Sequence, residues 1–120
     1  MSSIDNHLTK IHQIRRFCAT AQDKGHPALA RLMTHAQRDS GQSQVVASFL
    51  LSLYNGSRFK FDLTNFRRLD LEVFTDCLSV LAMDWSPAQE VHTYFKNGGE
   101  VFEKLAEDWR IKDYSKETTR

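Results

Sequence analysis

A chain of 120 residues, 41% hydrophobic and 26% charged, has the composition of one globular domain, not of a disordered segment or a two-domain protein. No apolar run reaches the roughly 18 residues of a membrane-spanning helix, and the opening Met1-Ser2-Ser3-Ile4-Asp5-Asn6-His7 lacks the basic-then-apolar order of a secretory signal. The net charge of +1 hides a division: Met1–Leu69 carries ten Lys and Arg against four Asp, and Asp70–Arg120 carries six bases against eleven acids. Such a split points either to a charged partner or to basic helices lying beside acidic ones within one fold.

The first predicted helix runs from about Ser3 to Asp23. Ile4, Leu8, Ile11, Ile14, Phe17, Cys18 and Ala21 recur at helical spacing. Lys24-Gly25-His26 is read as its end, with Gly25 in the left-handed position and Pro27 opening a second helix that closes at Gly41. The third helix, Ser43–Tyr54, has so wide an apolar surface that it belongs at the centre.

Arg58-Phe59-Lys60-Phe61-Asp62-Leu63 then alternates polar and apolar. A lone strand has no partner, so this segment is expected as an extended connection that plugs Phe59, Phe61 and Leu63 into the core. Thr64–Arg68 adds one helical turn. Asp70 is read as the N-cap of a fourth helix reaching Met83, with two apolar stripes and therefore burial on more than one side. Ser86-Pro87-Ala88-Gln89 has the form of a capping box and predicts a fifth helix, broken at Asn97-Gly98-Gly99. A last helix carries Val101, Phe102, Leu105, Ala106 and Trp109. The fold class is thus all-α: a compact bundle of five to six short helices with an irregular extended connection at about 57–69. Residues 1–111 form a single helical domain and 112–120 a flexible C-terminal tail.

No pattern of side chains announces catalysis or a cofactor. His7 and His12 are five residues apart, on different sides of a helix, and no Cys-x-x-Cys exists, so no metal site is expected. Cys18 and Cys77 lie on apolar stripes and read as buried thiols of a reducing cytoplasm. No nucleophile elbow and no phosphate-binding glycine loop is present. Glu90 and His92 form a candidate polar site, although two residues apart on one helix they point to different faces.

Two charged groups remain as candidate contact surfaces. Arg58, Lys60, Arg67 and Arg68 interleave with Phe59, Phe61 and Phe66, a mixture suited to nucleic-acid backbones and stacked bases, or to a protein partner. Glu100, Glu103, Glu107 and Asp108 form a candidate acidic face on the last helix. A solvated surface explains either group equally well.

From about Ala28 to Ile111 the chain resembles a family of small uncharacterised helical proteins of proteobacteria, often carried on plasmids, integrative elements and phages. The matching residues are Asp39-Ser40-Gly41-Gln42-Ser43, Val46-Ala47-Ser48-Phe49-Leu50-Leu51-Ser52-Leu53-Tyr54-Asn55-Gly56, Phe61-Asp62-Leu63 with Leu69-Asp70, and Glu90-Val91-His92. The resemblance carries no activity and no catalytic residues. It implies a bacterial, cytoplasmic setting and an accessory role, of the kind in which mobile-element proteins inhibit host machinery such as CRISPR effectors. The expected function is a non-enzymatic protein-binding accessory or regulatory module, without cofactor or membrane contact. Two alternatives stay open: a nucleic-acid-binding regulator that uses the basic central segment, and an enzyme with an unrecognised site around His92.

Overall fold

The computed structural model describes residues 3–116. Four α-helices, α1 (Ser3–Ala36), α2 (Ser43–Tyr54), α3 (Leu71–Trp85) and α4 (Gly98–Asp108), are joined by turns that include 3-10 helices at Leu63–Arg68 and Val91–Tyr94. The fold is all-α, and no strand occurs among the described residues.

The first two predicted helices are one. α1 runs unbroken for 34 residues through Gly25 and Pro27. Gly25 is helical, not left-handed, because its task is close packing: a Cβ there would lie 2.6 Å from Cβ of Met83 and 3.0 Å from the Ser79 carbonyl. Pro27 removes one helical hydrogen bond, and both Pro27 and Asp23, whose carbonyl loses its partner, are exposed. Tertiary packing on either side of the break outweighs local propensity here.

α3 lies antiparallel to α1. Arg31 pairs with Asp76, Gly25 abuts Met83, and Phe17 meets Trp85 edge-on with ring centroids 5.7 Å apart. The covered half of α1 buries Ala21, Gly25, Ala28, Leu29, Leu32, Met33 and Ala36. A fully buried Leu contributes roughly 2 kcal/mol, so this stripe is a main support of the fold.

α2 is central as its sequence predicts, with Val45, Val46, Ala47, Phe49, Leu50 and Leu51 buried. α3 corrects the expectation of two buried stripes. Only Val73, Cys77, Val80 and Met83 are buried, while Leu71, Leu78 and Leu81 face outward. The reason is position: α3 packs mainly on α1, at the side of the bundle, and its outer face has no element over it.

The central connection is irregular as expected. Phe59 is fully buried and Phe61 rests against the core, but Leu63 is 71% exposed. Leu63 instead opens the 3-10 helix, whose start is held by the Asp62 carboxylate accepting from the Thr64 N–H (2.9 Å) and hydroxyl (2.8 Å). Those two bonds also hold the Asp62 carboxyl below its ordinary range.

The capping box at Ser86–Gln89 does not act. Ser86–Glu90 is non-helical and leads into the short 3-10 helix at Val91. Gly98 and Gly99, expected to break a helix, begin α4 behind a left-handed Asn97. A Cβ on Gly98 would overlap the His92 carbonyl, so the glycine permits the two backbones to touch.

Short polar residues set the remaining junctions. The Gln42 side-chain amide donates to the Asp70 carboxylate (2.9 Å), and its carbonyl accepts from the Asp70 N–H (2.7 Å). One side chain thus ties the start of α2 to the start of α3, and Asp70 spends its carboxylate on Gln42, not on its own helix. Trp109 Nε1 donates to the Ala36 carbonyl (2.9 Å) and so satisfies one of the free acceptors at the end of α1.

Candidate interaction surfaces

The basic segment and the acidic face meet each other. Arg58 Nη1 lies 2.6 Å from Glu103 Oε2 and Nη2 lies 2.8 Å from Oε1, a fork-on-carboxylate pair. The same guanidinium binds Asp113 through Nε (3.1 Å) and Nη2 (2.9 Å). Tyr54 donates its hydroxyl to Glu103 (2.6 Å). Hydrogen bonds from Arg58, then from Tyr54, pull the Glu103 carboxyl down to about 2. Asp113 is lowered as well, first by Arg58 and then by Ser115. Three of the four ion pairs among the described residues join a base before Asp70 to an acid after it, so two bases of the first half, Arg31 and Arg58, are spent on three acids of the second.

Residues 112–116, in the segment expected to be a flexible tail, make specific contacts. The Tyr114 N–H donates to the Arg58 carbonyl at 2.7 Å. Residues 117–120 lie outside the described residues.

The other basic candidates separate. Lys60 donates to the Gly56 carbonyl (2.9 Å) and stands 6.0 Å from the Tyr114 ring. Arg67 and Arg68 are exposed at the end of the 3-10 helix and enter no ion pair among the described residues. The phenylalanines between them are committed elsewhere. Phe61 and Phe66 each contact Phe49 and each other, and Phe66 contacts Phe74. They form a chain of rings in the fold, not a platform for bases.

The acidic candidates divide likewise. Glu103 is taken by Arg58 and Tyr54, Asp108 pairs with Lys104 one turn away, and Glu100 and Glu107 are exposed. Glu90 is exposed, and its charge, after burial, helps to raise the Asp84 carboxyl. His92 packs edge-on against Tyr54 at 5.1 Å, and its Nδ1 is buried without a hydrogen-bond partner. Cys77 is buried, and burial with the Asp76 charge pushes its thiol up to about 12, so it stays protonated and unreactive. Cys18 is half-buried.

A further surface lies along the apolar stripe of the first predicted helix. α3 ends at Trp85, level with Phe17, so Ser3–Arg16 runs on as an arm with no helix beside it. Ile4, Leu8, Ile14, Phe17 (49%) and Trp85 (63%) are exposed, as are Leu78 and Leu81 on α3, where Leu78 lines a second depression with Phe17. An open depression of about 530 Å³ is lined by Gln13, Ile14, Phe17 and Trp85. Periodicity shows that the stripe is apolar; it does not show that the opposing helix is too short to cover it.

Among the described residues no three His, Cys, Asp or Glu side chains gather as a metal site, and no helix is long and apolar enough to cross a membrane. The model of a protein family of unknown function, DUF7673, matches residues 26–110, so the arm precedes the matched segment. No curated protein and no solved structure matches the chain.

Proposed function

This chain belongs to the DUF7673 family, and on that footing we propose that it is a non-enzymatic protein-binding module whose docking surface is the apolar seam of the arm and Trp85. The observation that carries the reading is the open apolar depression of Ile14, Phe17 and Trp85, with Ile4 and Leu8 also exposed further along the same arm. Contiguous exposed apolar patches of this kind mark interaction sites, because leaving them in water forfeits about 25 cal/mol per Å². The finer setting, a bacterial cytoplasm and an accessory role on a mobile element that blocks host defence machinery, rests on the resemblance stated above. It asks only that a small rigid surface occupy a partner's surface.

The test is capture from a bacterial lysate with the wild-type chain and with an Ile14→Asp/Phe17→Asp variant. Both side chains are exposed, so the variant keeps the fold. Proteins held by the wild type and lost by the variant are the expected result. An identical set from both overturns the reading.

Within the basic segment, nucleic-acid binding is left with Lys60, Arg67 and Arg68, since Arg58 is consumed by Glu103 and Asp113. Three phosphate contacts give a salt slope of only about −3 and weak affinity. Lack of gel retardation of DNA and RNA at low salt removes this alternative.

A further inference from the structure

We infer that the partner of the arm is a second copy of this chain, and that two arms pair antiparallel about a two-fold axis near Thr9. The inference rests on the reading of the arm seam as a docking surface and names its occupant.

Three observations carry it. First, the arm continues a seam that already has a partner elsewhere in α1. Written as a heptad, the a positions are Ile4, Ile11, Cys18, Gly25 and Leu32, and the d positions are His7, Ile14, Ala21, Ala28 and His35. Ala21, Gly25, Ala28 and Leu32 are buried in the half beside α3, an antiparallel neighbour. What the free half lacks is another antiparallel helix of the same kind.

Second, self-pairing satisfies two constraints with one register. In an antiparallel pair, a positions meet d positions. Ile4 then faces Ile14 of the second copy and Ile11 faces His7, which places the axis at residue 9. The uncovered stretch spans at least Ser3–Arg16, about 21 Å among the described residues, and residue 9 lies within it. The register demanded by side-chain pattern therefore falls within the stretch that α3 leaves uncovered. In that register each Ile4 arrives at the depression of Ile14, Phe17 and Trp85 on the other copy, and each arm prolongs the line of the other copy's α3.

Third, the area is sufficient: the excess surface of one chain is about twice what a standard interface takes from each partner. The chain exposes 8256 Å², against roughly 6,700 Å² for a compact monomer of its mass, an excess of about 1,600 Å². A standard stable interface takes about 800 Å² from each partner. The Cα radius of gyration, 16.7 Å against roughly 13.6 Å for a compact chain of this length, locates the excess in an elongated shape.

Charge separates this occupant from others. Lys10, Arg15 and Arg16 make the arm basic, with Asp5 its only acid. Two like-charged arms repel, so added salt should tighten self-association, whereas an acidic peptide or a polyanion would be released by salt.

The experiment is sedimentation equilibrium of the full chain at micromolar to 100 µM concentration (about that range spans ordinary dimer affinities), in low and high salt. The expected mass is twice 13.9 kDa, with tighter association at high salt. Ile14→Asp and Phe17→Asp should each weaken it by about tenfold or more, with unchanged helical circular dichroism. In a Cys18→Ser background, Ile4→Cys/Ile14→Cys should be linked between chains by a short bis-maleimide, since ten helical residues hold the two thiols about 15 Å apart within one chain. Asn6→Cys/His12→Cys, off the seam, should not. A wild type monomeric throughout, or a dimer indifferent to both Asp variants, overturns the inference. If the monomer still captures a different protein through the seam, the docking reading survives without it; if nothing is captured through the seam, both fail.

Discussion

Arg58 and Glu103 face each other fork to carboxylate, 2.6 and 2.8 Å apart, and the same guanidinium reaches Asp113. This joins three distant pieces of chain: the turn after α2, the middle of α4 and the segment after α4. Arg58→Ala leaves two carboxylates facing one another with no cation between them. The melting temperature should fall by roughly 5 °C, read by circular dichroism. Arg58→Lys should recover less than half of the loss, because an ammonium cannot grip two carboxylates in a fork. Full recovery with Lys would mean that charge alone, without geometry, matters.

The same cluster sets an acid limit. Glu103 is held at about 2 and Asp113 is also lowered, so both bind protons more readily unfolded than folded. Their contribution is complete above the ordinary carboxylate range and is lost as pH falls toward about 2. The difference in melting temperature between wild type and Arg58→Ala should be largest near pH 6 and shrink as the pH falls. Parallel curves across that range would show that the cluster does not couple to folding.

Much of the fold is legible in the sequence, and the exceptions share a cause. α2 announces itself because an element apolar on most sides has to be central. The connection at Phe59 is legible because a single alternating run has no strand to pair with. What misleads is local punctuation. Gly25-His26-Pro27 reads as a stop, yet Gly25 is small because Met83 lies against it, and that contact is 58 residues away in sequence. Ser86-Pro87-Ala88-Gln89 reads as a cap, yet the backbone at Val91–Tyr94 is committed to close approach with Gly98. In the candidate sites, periodicity places Arg58 and Glu103 on separate surfaces, and only the tertiary fold shows that they neutralise each other. The arm is the converse case, a legible apolar stripe whose cover cannot be inferred from its own residues.

Gly25 offers a test in which two effects oppose. Alanine in a helix interior gains about 1 kcal/mol over glycine. Here its Cβ would sit 2.6 Å from Met83 Cβ and 2.8 Å from Sδ, and overpacking costs about 1–3 kcal/mol. The contact is with a Cβ and a backbone carbonyl as well as a flexible sulfur, so the clash should win. Gly25→Ala is expected to lose about 1 kcal/mol in urea denaturation. Combined with Met83→Ala, the loss should be smaller than the sum of the two single losses. A Gly25→Ala chain more stable than wild type would mean that α1 and α3 are further apart than described.

His92 is the last candidate with chemical capacity, and its surroundings argue for a structural part. Its ring packs on Tyr54, its backbone carbonyl faces Gly98, and its Nδ1 is buried with nothing to bond. A buried polar atom without a partner costs about 1–3 kcal/mol. His92→Phe keeps a ring against Tyr54 and removes that atom. Stability should therefore be unchanged or rise by about 1 kcal/mol, and capture through the arm seam should be unaffected. A chain that folds as well as wild type but loses its biological effect would identify His92 as a functional group and return the enzyme alternative to the front.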